Sequence, residues 1–233
     1  MENNKILVVG DLHAEWNHLN NLINKKQPKI ILQCGDLGYW PKFHQKKMSS
    51  YDKHKFNQYG IKPQGTTIYW VDGNHEDHWS LQKLDQEENG VLMKNVIHQP
   101  RGSVLTLPDG RNVLFFGGAL SIDKAYRTEG IDWFREETIS YKDMMNLPEC
   151  KIDIVISHTC PEEFWWAAKM HLIFCNRYND PSVKALSCIL EKYKPKHWYF
   201  GHFHKYLFGR YKNTFFWGLN TPRESNWWMR LQQ

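Results

Sequence analysis

Two pairs of residues spaced two apart, Asp11/His13 and His202/His204, stand toward the two ends of a 233-residue sequence. Between them lie Asp36 after Gly35, Asn74 and His75 after Gly73, and a lone His158. Carboxylates, imidazoles and a neutral amide oxygen are all able to bind metal. This mixture suits Mn, Fe, Ni or Zn better than it suits the all-oxygen cages of Ca or Mg. In extended backbone, residues i and i+2 project to the same side, so each pair can reach one ion cluster. Some seven ligands are too many for one tetrahedral ion and about right for two ions sharing a bridging carboxylate. Taken singly, each of these histidines is more often a capping or core residue. Coincidence at every position is the weaker account.

The elements that must position these groups are legible as apolar runs of strand length. Lys5–Val9, Lys29–Gln33, Thr66–Val71, Lys151–Ser157 and His197–Phe200 each break abruptly into one of the polar clusters. In α/β proteins, groups at the carboxyl ends of strands face the ligand crevice. Trp16, Leu19, Leu22 and Ile23 recur at helical spacing up to Lys26, with Pro28 as the stop. A second helix is expected from about Asp77 to Leu84, the end of a short one at Asp143–Asn146, and others near 162–169 and 181–193. Asp109-Gly110 between two apolar runs, 103–116, predicts a hairpin. A long loop, Leu120–Glu137, follows, and a final hairpin is expected around 206–210 and 214–218. Strands alternating with helices indicate an α/β fold.

Composition narrows the class. Hydrophobic residues make up 41% and charged residues 24%, which is ordinary for a globular chain. A length of 233 residues suits a single domain, 1–233, with an insertion-like stretch at about 39–62 that interleaves lysines with aromatics. The net charge of +5 is a mild bias toward anionic partners and, without a recognition motif, is no argument for a nucleic-acid binder. No apolar run approaches the ~20 residues of a membrane span. The start lacks the form of a signal peptide, so a cytoplasmic protein is expected. The five cysteines are odd in number and form no CxxC pair, which favours reduced thiols over disulfides or a Cys-type zinc site. A nucleophilic Cys160 is the lesser reading of that residue.

Asp11-x-His13, Gly35-Asp36, Gly73-Asn74-His75-Glu76, His158 after a strand and Gly201-His202-x-His204 resemble, in order, the five signatures of the calcineurin-like metallophosphoesterase superfamily. The resemblance spans residues 11–204 and, as an ordered set, is highly specific. It implies two mixed β-sheets packed together and flanked by α-helices, with two divalent transition-metal ions at the strand ends. Manganese is the expected metal, with Fe, Ni or Zn as alternatives. It further implies that Asp11, His13 and His204 hold one ion, that Asn74, His158 and His202 hold the other, and that Asp36 bridges them. His75 is implied to bind neither ion and to protonate the leaving group, a role worth about 10²–10⁴ in rate. Such enzymes hydrolyse phosphate esters by attack of hydroxide generated between the ions. Asp72, Glu76 and Asp77 are nearby candidates to accept the free N–H of a ligating imidazole.

Departures from the superfamily's branches point to a substrate. Protein serine/threonine phosphatases carry arginines where this chain reads Gly38, Tyr39 and Trp40 after the second motif and Asp72 before the third, and they tend to lack the doubled histidine pair. The chain is therefore more similar to phosphodiesterase-type members, among them small bacterial and phage phosphoesterases. A diester carries less charge than a monoester and needs fewer arginine clamps. Arg127 is a candidate phosphate contact, a surface or internally paired arginine being the rival reading. Tyr39 and Trp40 are candidates to stack on a nucleobase, as are Trp165 and Trp166, with hydrophobic core the stronger account of these rings. The expected substrate is a nucleotide, cyclic nucleotide or short oligonucleotide. The alternatives are a phosphomonoesterase, including protein phosphatase activity, and, more remotely, a non-catalytic metal-binding module. The sequence offers no reading of oligomeric state.

Overall fold

Four-residue runs such as Ile6–Val9 and Ile154–Ser157 are apolar at nearly every position because both faces are covered, the signature of parallel strands inside an α/β protein. The computed structural model describes residues 6–41, 60–168 and 179–233. It contains β1 (Ile6–Val9), α1 (Trp16–Lys26), β2 (Ile30–Gln33), β3 (Thr67–Trp70), α2 (His78–Glu88), β4 (Val91–Met93) and β5 (Val96–His98). These are followed by β6 (Val104–Thr106), β7 (Asn112–Phe116), α3 (Tyr141–Met145), β8 (Ile154–Ser157), α4 (Glu162–Ala167) and α5 (Pro181–Tyr193). The chain closes with β9 (His197–Phe200), β10 (Leu207–Tyr211), β11 (Thr214–Gly218) and β12 (Trp228–Arg230). Most of the insertion-like stretch expected at 39–62 lies outside the described residues.

The strands form two mixed six-stranded sheets, ordered β12-β1-β2-β3-β5-β4 and β10-β11-β9-β8-β7-β6. In each, four parallel strands form the centre and one antiparallel strand closes either edge. The side-chain alternation of a strand then sorts the core into layers. Ile6, Val8, Val113, Phe115, Ile154 and Ile156 face the other sheet in one shared layer. Their neighbours Leu7 and Val9 turn outward to meet α1, while Leu114 and Val155 turn outward to meet α5. Helix α1 offers Trp16, Leu19, Leu22 and Ile23 on one stripe. Helix α5 offers Val183, Leu186, Ile189 and Leu190, and starts where Asp180 caps the Ser182 N–H with Pro181 in the first turn. Each such buried aliphatic contributes about 1.5–3 kcal/mol.

Three strands were not expected from the sequence. β4, β5 and β12 are three residues long, too short for a periodic signal, and β12 takes the chain from the expected final hairpin back to β1. α2 runs to Glu88, past the expected end at Leu84. Among the described residues, no helix is long and apolar enough to cross a membrane.

Behind β3, Arg101 is half-buried in a cage of acceptors. It meets Asp72 through Nε (3.1 Å) and Nη2, Asp143 through Nη1 (3.1 Å), and the carbonyls of Thr138, Glu136 and Glu137. Burial opposes ionisation of Asp72, but Arg101, with His98 and His78, holds its carboxyl well below the usual range. His98 donates to Asp85 at 2.7 Å and faces Asp72 at 3.8 Å, beyond hydrogen-bond reach, so charge alone links that second pair. Burial alone would depress the His98 imidazole; the two carboxylates outweigh it and push it up to about 9.

Removing one partner of a buried ion pair leaves the other uncompensated, so Arg101→Met should cost about 3–5 kcal/mol in urea unfolding. A loss below about 1 kcal/mol would show that the acceptors relax into water. Because the folded value of His98 lies above its ordinary 6.5, its stabilisation is complete below that pH and is lost as pH rises through 9. The stability gap between wild type and His98→Gln should therefore shrink between about pH 6 and about pH 9.5, and a constant gap would mean that the native imidazole is neutral.

Candidate metal centre

All of the candidate ligands emerge from the carboxyl ends of central parallel strands. β1 delivers Asp11 and His13, β2 delivers Asp36, and β3 delivers Asn74 and His75 from the first sheet. β8 delivers His158, and β9 delivers His202 and His204, from the second. Asp11 and Asp36 are almost completely buried. Asp11 Oδ2 lies 3.1 Å from His204 Nε2 and 3.9 Å from His13 Nε2, and the two imidazole nitrogens are 2.8 Å apart. On the other side, Asn74 Oδ1 lies 3.0 Å from His158 Nε2 and 3.1 Å from His202 Nδ1. Asp36 Oδ2 sits between the two groups, 3.5 Å from His13 Nε2 and 3.4 Å from His158 Nε2.

This donor set fits metal. Asp11, His13 and His204 form one triad with ligand atoms within 4.8 Å of one another, and Asp11, Asp36 and His158 form a second. Asp11 belongs to both triads, whereas Asp36 touches both imidazole groups, so either carboxylate is placed to span the centre. Burial alone would depress the His158 imidazole, yet Asp36 and Asp11 push it up to about 10, whereas burial and the nearby His158 hold the His202 imidazole down to about 3. Two clusters with these donors support a dinuclear divalent-metal site.

The backbone that presents the ligands is not extended. His13, Asp36, His202 and His204 have φ of 43°, 54°, 66° and 47°, so the i, i+2 pairs converge through left-handed turns rather than strand alternation. That corrects the geometry expected from spacing alone. Two glycines are dictated by close approach: a Cβ on Gly73 would strike the Asp36 carboxylate, and one on Gly201 would strike that of Asp11. The N–H groups of His75 and His202 use this proximity, donating to Asp36 Oδ1 at 2.8 Å and to Asp11 Oδ2 at 2.9 Å.

None of the three acids nominated to orient an imidazole does so. Asp72 is bound to Arg101, Asp77 caps α2 by accepting from Ser80, and Glu76 accepts from Gly73 N–H at 2.7 Å and Gly38 N–H at 3.2 Å. The Nδ1–H of His158 donates instead to the Cys34 carbonyl at 2.8 Å, an acceptor that carries no side-chain signal. His75 is half-buried, its ring centroid 5.3 Å from that of His13. Burial lowers its imidazole, with Asp36 opposing and Arg127 reinforcing the shift.

A cleft of about 430 Å³ opens on the centre, lined by Asp36, Asn74, His75, His202 and His204 and walled by Leu120, Trp165 and Phe203. Tyr39 and Trp40 do not line it. They are 6% and 9% exposed, with Tyr39 6.1 Å from the Trp70 ring and Trp40 6.0 Å from that of Phe134, and they form core rather than a stacking surface. Arg127 is held within its own loop by Asp123 (2.7 Å) and the Asp132 carbonyl (3.1 Å). Cys160 is wholly buried in the apolar cluster around α5. Two residues with no motif signal stand directly behind Asn74: its Nδ2 donates to Ser121 Oγ at 3.0 Å, and Ser121 in turn bonds Glu137.

The sequence matches the family model of calcineurin-like phosphoesterases over residues 4–206, and the chain belongs to that family. None of the curated proteins matches it. One solved crystal structure aligns with a TM-score of 0.56 at 16% identity, covering 95% of this chain and 92% of its own, a likeness of fold alone. Phosphopantetheinyl hydrolase (PptH) from Mycobacterium tuberculosis aligns with a TM-score of 0.48 at 12% identity, over 98% of this chain and 96% of its own. GAP50, the anchor in the inner membrane complex of Plasmodium, aligns at 0.47 and 11% identity, over 93% and 71%.

The close approach at Gly201 makes it a test of the site that substitutes none of the ligand residues. Gly201→Ala should displace Asp11 and lower metal content after reconstitution, measured by elemental analysis, with the far-ultraviolet circular dichroism unchanged. Wild-type metal content would show that Asp11 can move aside.

Proposed function

We propose that the chain is a dinuclear-metal phosphoesterase acting on a phosphodiester. The carrying observation is the convergence of Asp11, His13, Asp36, Asn74, His158, His202 and His204, of which Asp36, Asn74, His202 and His204 line a cleft large enough for an organic phosphate. Asp11, His13 and His204 hold one ion, Asn74, His158 and His202 the other, and Asp36 reaches both. Bound ions of this kind, manganese being the expected one, acidify water and neutralise charge on phosphoryl oxygens. Asp36 is anchored for its task by the His75 N–H, and the His158 ring by the Cys34 carbonyl. His75, at the cleft wall and one residue from a ligand, donates the proton that the leaving oxygen needs.

Two features favour a diester. Among the described residues lining the cleft there is no lysine or arginine, so a doubly charged monoester would find no fixed cation beyond the ions and histidines. Trp165, Leu120 and Phe203 offer an apolar wall to an organic substituent such as a nucleobase, a nucleoside or a short oligonucleotide end.

Turnover of an aryl phosphodiester and the matching monoester with added Mn²⁺ tests the reading, with the diester expected to be faster. His75→Ala should retain wild-type metal content and lose at least ~tenfold in turnover. A faster monoester would move the assignment to the phosphomonoesterases, and undiminished turnover would remove His75 from the reaction.

A further inference from the structure

We propose that Ser121 and Glu137 are positioning residues that decide which end of the Asn74 side chain faces the metal centre. The inference rests on the reading that Asn74 holds an ion through its amide oxygen. An amide is nearly symmetric in shape, and its two ends are opposite in polarity. Turned one way, Asn74 offers a ligand oxygen beside His158 Nε2 and His202 Nδ1; turned the other, it would point N–H donors at a cation. The His202 side leaves the choice open, because its Nδ1 can donate or accept, and His158 Nε2 does so too according to the charge its ring carries.

The choice is made behind the residue. Ser121 Oγ lies 2.7 Å from Glu137 Oε2, the length of a hydroxyl donating to a carboxylate. The other carboxylate oxygen, Oε1, accepts from the Ser121 backbone N–H at 2.7 Å, which fixes Glu137 relative to the serine. The only proton of the Ser121 hydroxyl is therefore directed to Glu137, and the oxygen has lone pairs alone to offer Asn74. At 3.0 Å it can only accept from Nδ2, which leaves Oδ1 facing the ions. Both residues are buried, so water does not substitute for either partner. A further backbone bond, from Ala119 N–H to the Glu137 carbonyl at 3.0 Å, fastens the two ends of the loop together. The excursion between β7 and α3 thus closes on itself to hold one hydroxyl behind one ligand.

Titration of the metal-stripped full chain with Mn²⁺ by calorimetry tests this. Ser121→Ala, which changes no charge, and Glu137→Gln, which keeps the shape and frees the serine proton, should each weaken one of two binding steps by about tenfold or more and leave the other unchanged. Ser121→Thr, which retains the hydroxyl, should bind as wild type does. Should Ser121→Ala fail to fold, Glu137→Gln carries the test. Asn74→Ala separates this inference from the reading beneath it. Wild-type binding by Asn74→Ala would show that Asn74 is no ligand and would overturn both. Loss of a step in Asn74→Ala with both steps intact in the Ser121 and Glu137 variants would overturn the positioning role alone. Equal weakening of both steps in Glu137→Gln, with Ser121→Ala unaffected, would reduce Glu137 to a distant charge and likewise overturn it.

Discussion

Two buried carboxylates at the seam between the sheets constrain everything around them. Asp11 and Asp36 leave adjacent parallel strands, and both are withdrawn from water. An isolated buried carboxylate is prohibitively costly unless it is paired and hydrogen-bonded. The first sheet supplies the acids and the second supplies much of the compensation, through the His202 N–H and the His158 and His204 rings. Sheet packing and metal binding therefore draw on the same contacts. A chain that lost the histidines would lose part of what joins its halves.

The same constraint explains the backbone. Placing a carboxylate and two imidazoles within a few ångströms of each other requires turns tighter than a strand end provides. Left-handed conformations at non-glycine residues, worth of order 1–3 kcal/mol each, persist only where surrounding structure over-determines them. Here the Leu12 and His13 N–H groups both donate to the Asp36 carbonyl, at 3.1 and 2.7 Å, and the Cys34 N–H donates to the Val9 carbonyl. These bonds clip the two ligand loops of the first sheet to one another. The apolar strands beneath supply the burial that offsets the strain.

What the sequence made legible follows from this division of work. Strands at the centre of a covered sheet are largely apolar, so β1, β2, β3, β8 and β9 were visible, and α1 stood out by its stripe and by the Pro28 stop. Residues that bind metal have few chemical substitutes, so Asp11, His13, Asp36, Asn74, His158, His202 and His204 could be named as candidates by type and order, and the structure brings them together. Groups that work through backbone or through common polar side chains left no trace. The Cys34 carbonyl, Ser121 and Glu137 belong to that class, because a serine or a carbonyl in that position resembles any other until its partner is seen. Tyr39 and Trp40 show the opposite case. Adjacency to Asp36 left stacking and core both open, and the fold turns both rings into the core.

Asp72 carries the clearest lesson about charge. From sequence alone it stands where an arginine clamp is missing before Asn74. In the fold it is a brace: its side chain turns away from the cleft and takes up Arg101, which reaches on to Asp143 and the carbonyls of 136–138. The brace holds the segment that carries Glu137, so the residue before the third motif supports its neighbour from behind instead of gripping substrate. Arg127 is likewise satisfied by Asp123. With both arginines facing acids of their own, no lysine or arginine lines the cleft among the described residues. Arg101 and Arg127 are spent on holding the loops in place, and the positive charge that those described residues can bring to the cleft is that of its histidines and of the ions its ligands would hold.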